Sequence, residues 1–160
     1  MMVAALLAMS LLGHAHVAKV ATHHFKVHGW SVVIYNDKFA GEVDCTIKAR
    51  DISYQRDTLI FQVGAVDTTN AWFRIDGASP RSVREAFAED EAHGFFPERG
   101  WIVDPNGGEV ALPASYLKGA RRLYIRAKLK SHPRAFDVSR FGEVLARARA
   151  AGCAVDKPIN

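Results

Sequence analysis

Cysteine is scarce in this sequence. Cys45 and Cys153 are the only two in 160 residues, so a single bridge is the one pairing possible within the chain. There is no C-x-x-C, and no histidine near either cysteine has zinc-ligand spacing. A disulfide is therefore favoured over a redox couple or a structural zinc site. A Gly-x-Ser-x-Gly turn, a Walker loop and a dinucleotide fingerprint are all missing, which removes the motif-bearing hydrolases and nucleotide enzymes. Ser131 and His132 are sequence neighbours, which does not make a catalytic pair. Asp76-Gly77 and Asp104-Pro105-Asn106-Gly107-Gly108 read as turns, because the ligand repeat of a calcium loop is absent. Glu85 and Glu89 are helical neighbours facing the same way, not carboxylates opposed across a cleft. No apolar run reaches the roughly 20 residues needed to span a bilayer. Repeats, low-complexity tracts and interdomain linkers are lacking too. No catalytic residue and no cofactor is expected from these absences.

What is present begins with Val3–Leu12, an apolar stretch broken only by Ser10 and followed by Gly13-His14-Ala15. That pattern predicts a signal peptide over 1–15, with His16 as the mature N-terminus. Its n-region carries no Lys or Arg, so the cationic end would be the amino terminus alone. Export gives Cys45 and Cys153 an oxidising compartment, periplasmic or extracellular, in which to pair. Closing so long a loop is worth on the order of 4–5 kcal/mol in the chain-entropy model. The remaining length suits one domain, expected over 25–155, between a flexible lead-in at 16–24 and a tail at 156–160. Hydrophobic residues make up 49% and charged residues 24%, the balance of a globular chain. A net charge of +4 suits anionic surfaces or polymers. Nucleic acid is not an expected partner of an exported protein.

Local patterns predict a mainly β fold, an antiparallel sandwich or partly open barrel, with a mid-chain helix and a C-terminal helix. The first strand is expected over Phe25–Tyr35, rich in β-branched and aromatic residues. In the next, Val43, Cys45, Ile47 and Ala49 alternate with polar residues, which puts Cys45 on an inner face. Thr58–Ala65 and Ala71–Ile75 are further strands. Ser82-Val83-Arg84-Glu85 has capping-box spacing and opens a helix that Gly94 stops. Trp101–Val103 and Glu109–Leu112 read as a hairpin, and Ala114–Lys118 as one helical turn. Arg122–Lys130 alternates, with Leu123, Ile125, Ala127 and Leu129 inward. Ser139 is the expected N-cap of the last helix, whose core stripe is Phe141, Val144, Leu145 and Ala148. Gly152 ends it, immediately before Cys153.

A strand holding Gly29-Trp30-Ser31-Val32 leads to Val43-Asp44-Cys45-Thr46-Ile47. Later, Leu123-Tyr124-Ile125-Arg126-Ala127 leads to Phe136–Leu145 and then Ala150-Ala151-Gly152-Cys153. These segments resemble the small secreted alphaproteobacterial proteins grouped around the invasion-associated locus B family. The resemblance implies a signal peptide, a compact β-rich fold and no known enzymatic activity, and some members are associated with entry into host cells. It covers the two ends of the mature chain and has no counterpart for Asp76–Gly100. Many members of that family carry more cysteines than this chain.

Two sites are candidates on residue chemistry. Arg122, Arg126, Lys128 and Lys130 recur at period two and would project from one sheet face around Tyr124. Such a ribbon suits phosphate or sulfate groups on an envelope component, and equally suits a solvated strand. A mature N-terminal His16 could join His23 or His24 in a copper site, with His93 or His132 reachable only through folding. The alternative is a solvated histidine-containing lead-in. Trp30, Trp72 and Trp101 each lie in strand-like runs, where core packing is the default, and Trp72-Phe73 places aromatics on both faces. The function that follows is an exported non-catalytic binding or accessory module contacting an anionic envelope component or another envelope protein. The alternatives are a copper-binding protein and a hydrolase whose site no motif marks.

Overall fold

Alternating apolar side chains build most of this molecule into strands, and each strand needs a partner to satisfy its backbone. The computed structural model describes residues 20–37, 42–55, 57–64, 66–92 and 106–153. Strands β1 (Val20–Val27), β2 (Trp30–Asp37), β3 (Glu42–Ala49), β4 (Ile52–Gln55) and β5 (Thr58–Gln62) form an antiparallel meander. β6 (Trp72–Ile75) and the short β7 (Arg81–Ser82) follow, then α1 (Val83–Ala92). β8 (Glu109–Pro113), a 3-10 turn at Ala114–Leu117, β9 (Arg122–Arg126), β10 (Arg134–Asp137) and α2 (Phe141–Ala150) complete the order. One sheet has six strands in the order β1-β2-β3-β4-β5-β8, the other four in the order β10-β9-β6-β7. Every pairing is antiparallel. The mainly β class holds: the strands form two antiparallel sheets, both open, and no barrel closes among the described residues.

The register carries one face of the large sheet into a common core. Val32, Ile47, Tyr54, Leu59 and Leu112 stand in successive cross-strand pairs, and all are buried. Phe61 meets Phe136 of the small sheet edge-on, with ring centroids 5.1 Å apart. α2 covers another part of the same face: Phe141 lies 5.3 Å from Trp30 and 5.3 Å from Tyr54. Phe141, Val144 and Ala148 are buried and Leu145 packs beside them, as the helical stripe predicts. Cys45 and Cys153 are bonded across 108 residues, with Cα atoms 5.8 Å apart. The bridge ties the end of α2 to β3, and Gly152 reaches the φ of +93° that stops the helix.

Four expectations change. The single strand over Phe25–Tyr35 is two strands, because His28 and Gly29 both take positive φ and form a two-residue hairpin turn. The lead-in expected over 16–24 is strand from Val20 onward, held by pairing with β2. Ser139 is not the N-cap of α2. Its hydroxyl donates to Asp137 Oδ1 at 2.6 Å, and Arg140 occupies the cap position without a side-chain bond. Lastly, β9 stops at Arg126, so the alternation expected as far as Lys130 is cut short. Lys128 and Ser131 close a turn there, and Leu129 faces solvent instead of the core. The hairpin arm Trp101–Val103 and the helix stop at Gly94 lie outside the described residues.

Candidate functional site

The two edges of the small sheet place arginines where the core would otherwise meet water. Arg134, at the start of β10, is on the inner face in register with Ile125 and Phe73. Its guanidinium donates to Gln62 O at 2.6 Å and to Asp51 Oδ2 at 2.7 Å, clasping one sheet to the other. It also lies 5.5 Å over the Phe136 ring. At the opposite edge Arg81 pairs with Glu89 of α1 and sits over Phe73 and Tyr116, 6.0 and 5.8 Å from their ring centres. Both are cations with built-in partners, so they act in the scaffold.

The outer face of the same sheet is different. Cross-strand pairing puts Trp72 beside Arg126, Arg74 beside Tyr124, and Asp137 beside Arg122. Phe73 is buried while Trp72 is half-buried, so the dipeptide splits between the two faces as its alternation implies. Arg74 lies with its guanidinium carbon 4.8 Å above the Tyr124 ring. A planar cation stacked on an aromatic face keeps its edge N–H groups available for an oxyanion. Among the described residues neither Arg74 nor Arg126 makes an ion pair.

Arg122 sits in a more acidic place. Asp137 is its cross-strand neighbour, and Asp76 accepts the Arg122 backbone N–H at 2.8 Å and that of Arg121 at 3.2 Å. Ser139 donates its hydroxyl and its N–H to Asp137, which holds that carboxyl below the ordinary Asp range, and the charges of Arg122 and Arg140 lower it further. Of the four cations expected on one ribbon, the strand carries Arg122 and Arg126. Lys128 and Lys130 stand in the exposed loop beyond it. Arg74 escapes a reading of the sequence because it is a lone cation in Ala71–Ile75, with no periodic partner along its own strand. Only the β6–β9 register brings it to the site.

Among the described residues the histidines do not converge. His23 and His24 are consecutive in β1, so their side chains leave opposite faces of the sheet. His23 packs on Phe25 with ring centroids 5.1 Å apart, and His24 Nε2 meets Ser31 Oγ at 3.0 Å. His23 and His24 therefore cannot both ligate one ion from this strand, and the expected pairing of His16 with one of them lies outside the described residues. His16 and His93 lie outside the described residues, and no cluster of metal-ligating side chains occurs among those described. His28, at the hairpin tip, donates to Glu143 of α2 at 2.9 Å, and Arg140 donates to the same carboxylate at 2.6 Å. These bonds, that of Arg140 above all, hold Glu143 below its ordinary pKa.

Glu85 is exposed on α1, and its N–H reaches Ser82 Oγ at 3.4 Å, half of the expected capping box. Among the described residues no helix is long and apolar enough to cross a membrane. Compared with family models, with curated proteins and with solved structures, the chain gives no significant match.

Proposed function

We propose that this chain is an exported, non-catalytic binding module that holds anionic polymers of the envelope or extracellular space on the outer face of its four-stranded sheet. The observation that carries the reading is the pairing of Arg74 with Tyr124 and of Arg126 with Trp72 on that face. Two guanidinium groups beside half-buried aromatic rings suit an extended chain bearing sulfate or phosphate groups. The arginines meet the charges, and the rings meet the apolar faces between them. The Cys45–Cys153 bond supports an oxidising compartment, and the apolar stretch before residue 16 supports export to one. The resemblance to the invasion-associated locus B family points the same way, and we place the chain beside that family on the residues quoted above.

Retention on immobilised dextran sulfate at low salt tests the site. Arg74→Glu/Arg126→Glu is expected to abolish retention. Arg122→Glu has a smaller effect, because carboxylates already flank that position. Undiminished retention of the double variant overturns the assignment. Mass spectrometry of the protein recovered from its native compartment tests export. A mass beginning at His16, two hydrogens light until reductant is added, is expected, and a full-length mass with free thiols refutes it.

A further inference from the structure

The loop that interrupts the basic ribbon has a use of its own. Leu129 is 71% exposed, the most exposed large apolar side chain among the described residues. It stands between Lys128 and Lys130 at the tip of the β9–β10 connection, and all three face solvent. The tip is held in shape. Ser131 N–H and Ser131 Oγ both donate to Lys128 O, at 3.0 and 2.9 Å, and Lys128 N–H donates back to Ser131 Oγ at 3.2 Å. An apolar side chain so presented has no core to join, and its ordering cost is already met by the turn.

Other loops gather at the same end. The Arg134 clasp onto Gln62 O and Asp51 joins the residue after the 127–133 loop to the residue before the 63–71 loop and to the β3–β4 turn. Val66, 40% exposed, is in the first of those neighbours, and Arg50, whose side chain is 96% exposed, is in the second. Asp67, beside Val66, lies within electrostatic reach of Lys128. Among the described residues the end thus carries Arg50, Lys128, Lys130 and Arg134 against Asp51, Asp67 and Glu109. Asp51 is engaged by Arg134, and Asp67 accepts both the N–H and the hydroxyl of Thr69.

We infer that this end of the sandwich docks on an anionic lipid surface, with Leu129 entering the headgroup–acyl boundary and Lys128 and Lys130 resting in the phosphate plane. The combination decides the occupant. A polyanion in water would use the lysines and leave Leu129 wet, whereas a lipid interface takes both. The lysine stems lie along the apolar boundary while their ammonium groups stay with the phosphates. The surface goes beyond the polymer-binding face and uses none of its residues.

Co-sedimentation with phosphatidylcholine vesicles, with and without a phosphatidylglycerol fraction, tests this. Binding to the anionic vesicles alone is expected, falling with salt. Leu129→Ser should weaken it roughly tenfold with the salt dependence unchanged. Lys128→Gln and Lys130→Gln should each weaken it about fivefold and flatten the salt dependence. Arg74→Glu/Arg126→Glu should still bind the vesicles, so failure of the polymer site and failure of the lipid site give different results. Thermal unfolding of the loop variants should match the parent, since the substituted side chains are exposed. No binding, equal binding to neutral vesicles, or unchanged binding by Leu129→Ser each overturns the inference.

Discussion

At the scale of single residues, backbone conformation decides more than side-chain chemistry. Gly108 sits at φ +80°, and a Cβ placed on it would lie 1.4 Å from the backbone oxygen of Gly64. That approach brings β8 beside the end of β5, where Val63 N–H donates to Gly108 O at 2.8 Å. Gly108→Ala is expected to cost at least about 2 kcal/mol in urea unfolding, combining the left-handed penalty with the clash. Gly142 provides the contrast. It is helical, and nothing lies within 4 Å of an added Cβ. Gly142→Ala should stabilise by about 0.5–1 kcal/mol in the same assay. The dense turn signal around Gly107-Gly108 was legible in the sequence, but the neighbour that makes Gly108 indispensable was not. Gly64 is far away along the chain, and only the β5–β8 pairing brings it close.

At the scale of elements, the link from β10 into α2 is organised by Asp137. Its carboxylate accepts the Ser139 N–H at 3.0 Å and the Ser139 hydroxyl at 2.6 Å, which sets the chain's entry to the helix. Because these bonds favour the ionised form, the folded pKa lies below the unfolded one. Their contribution is fully present above the unfolded value of about 3.9 and is lost as pH falls through the lower folded value. Asp137→Asn should therefore show a shallower loss of stability below about pH 4 than the parent, measured as the urea midpoint against pH. An unchanged slope would show that Asp137 contributes nothing to acid unfolding. The helix stripe Phe141, Val144, Leu145 and Ala148 was readable because a 3.6-residue period is a local property. The cap was misread because Ser139 has two available acceptor and donor arrangements, and the nearby Asp137 decides between them.

At the scale of the whole molecule, the Cys45–Cys153 bond joins an early strand to the last helix. α2 reaches the core of the large sheet chiefly through Phe141, Val144 and Ala148, so the bond limits how far the helix departs on unfolding. Replacing both cysteines by serine is expected to cost about 2–5 kcal/mol. Urea unfolding with and without reductant checks this: the parent should lose stability in reductant, and the Cys45→Ser/Cys153→Ser variant should not respond. The two open sheets leave distinct surfaces on one scaffold, an arginine and aromatic face on the small sheet and a lysine and leucine tip at the end of its β9–β10 hairpin.

Except in β3, where Val43 is 40% exposed, local pattern suffices for the β-rich class, the burial of alternate residues in β5 and β9, the stripe of α2 and the single disulfide. Each of these follows from short-range periodicity or from there being only two cysteines. Tertiary structure alone decided where β9 ends, that Leu129 faces water, that the chain is already strand at His23 and His24, and that Arg74 joins Arg126. The reason is physical. Alternation states which side chains share a face of one strand, whereas cross-strand neighbours depend on register between segments far apart in the chain.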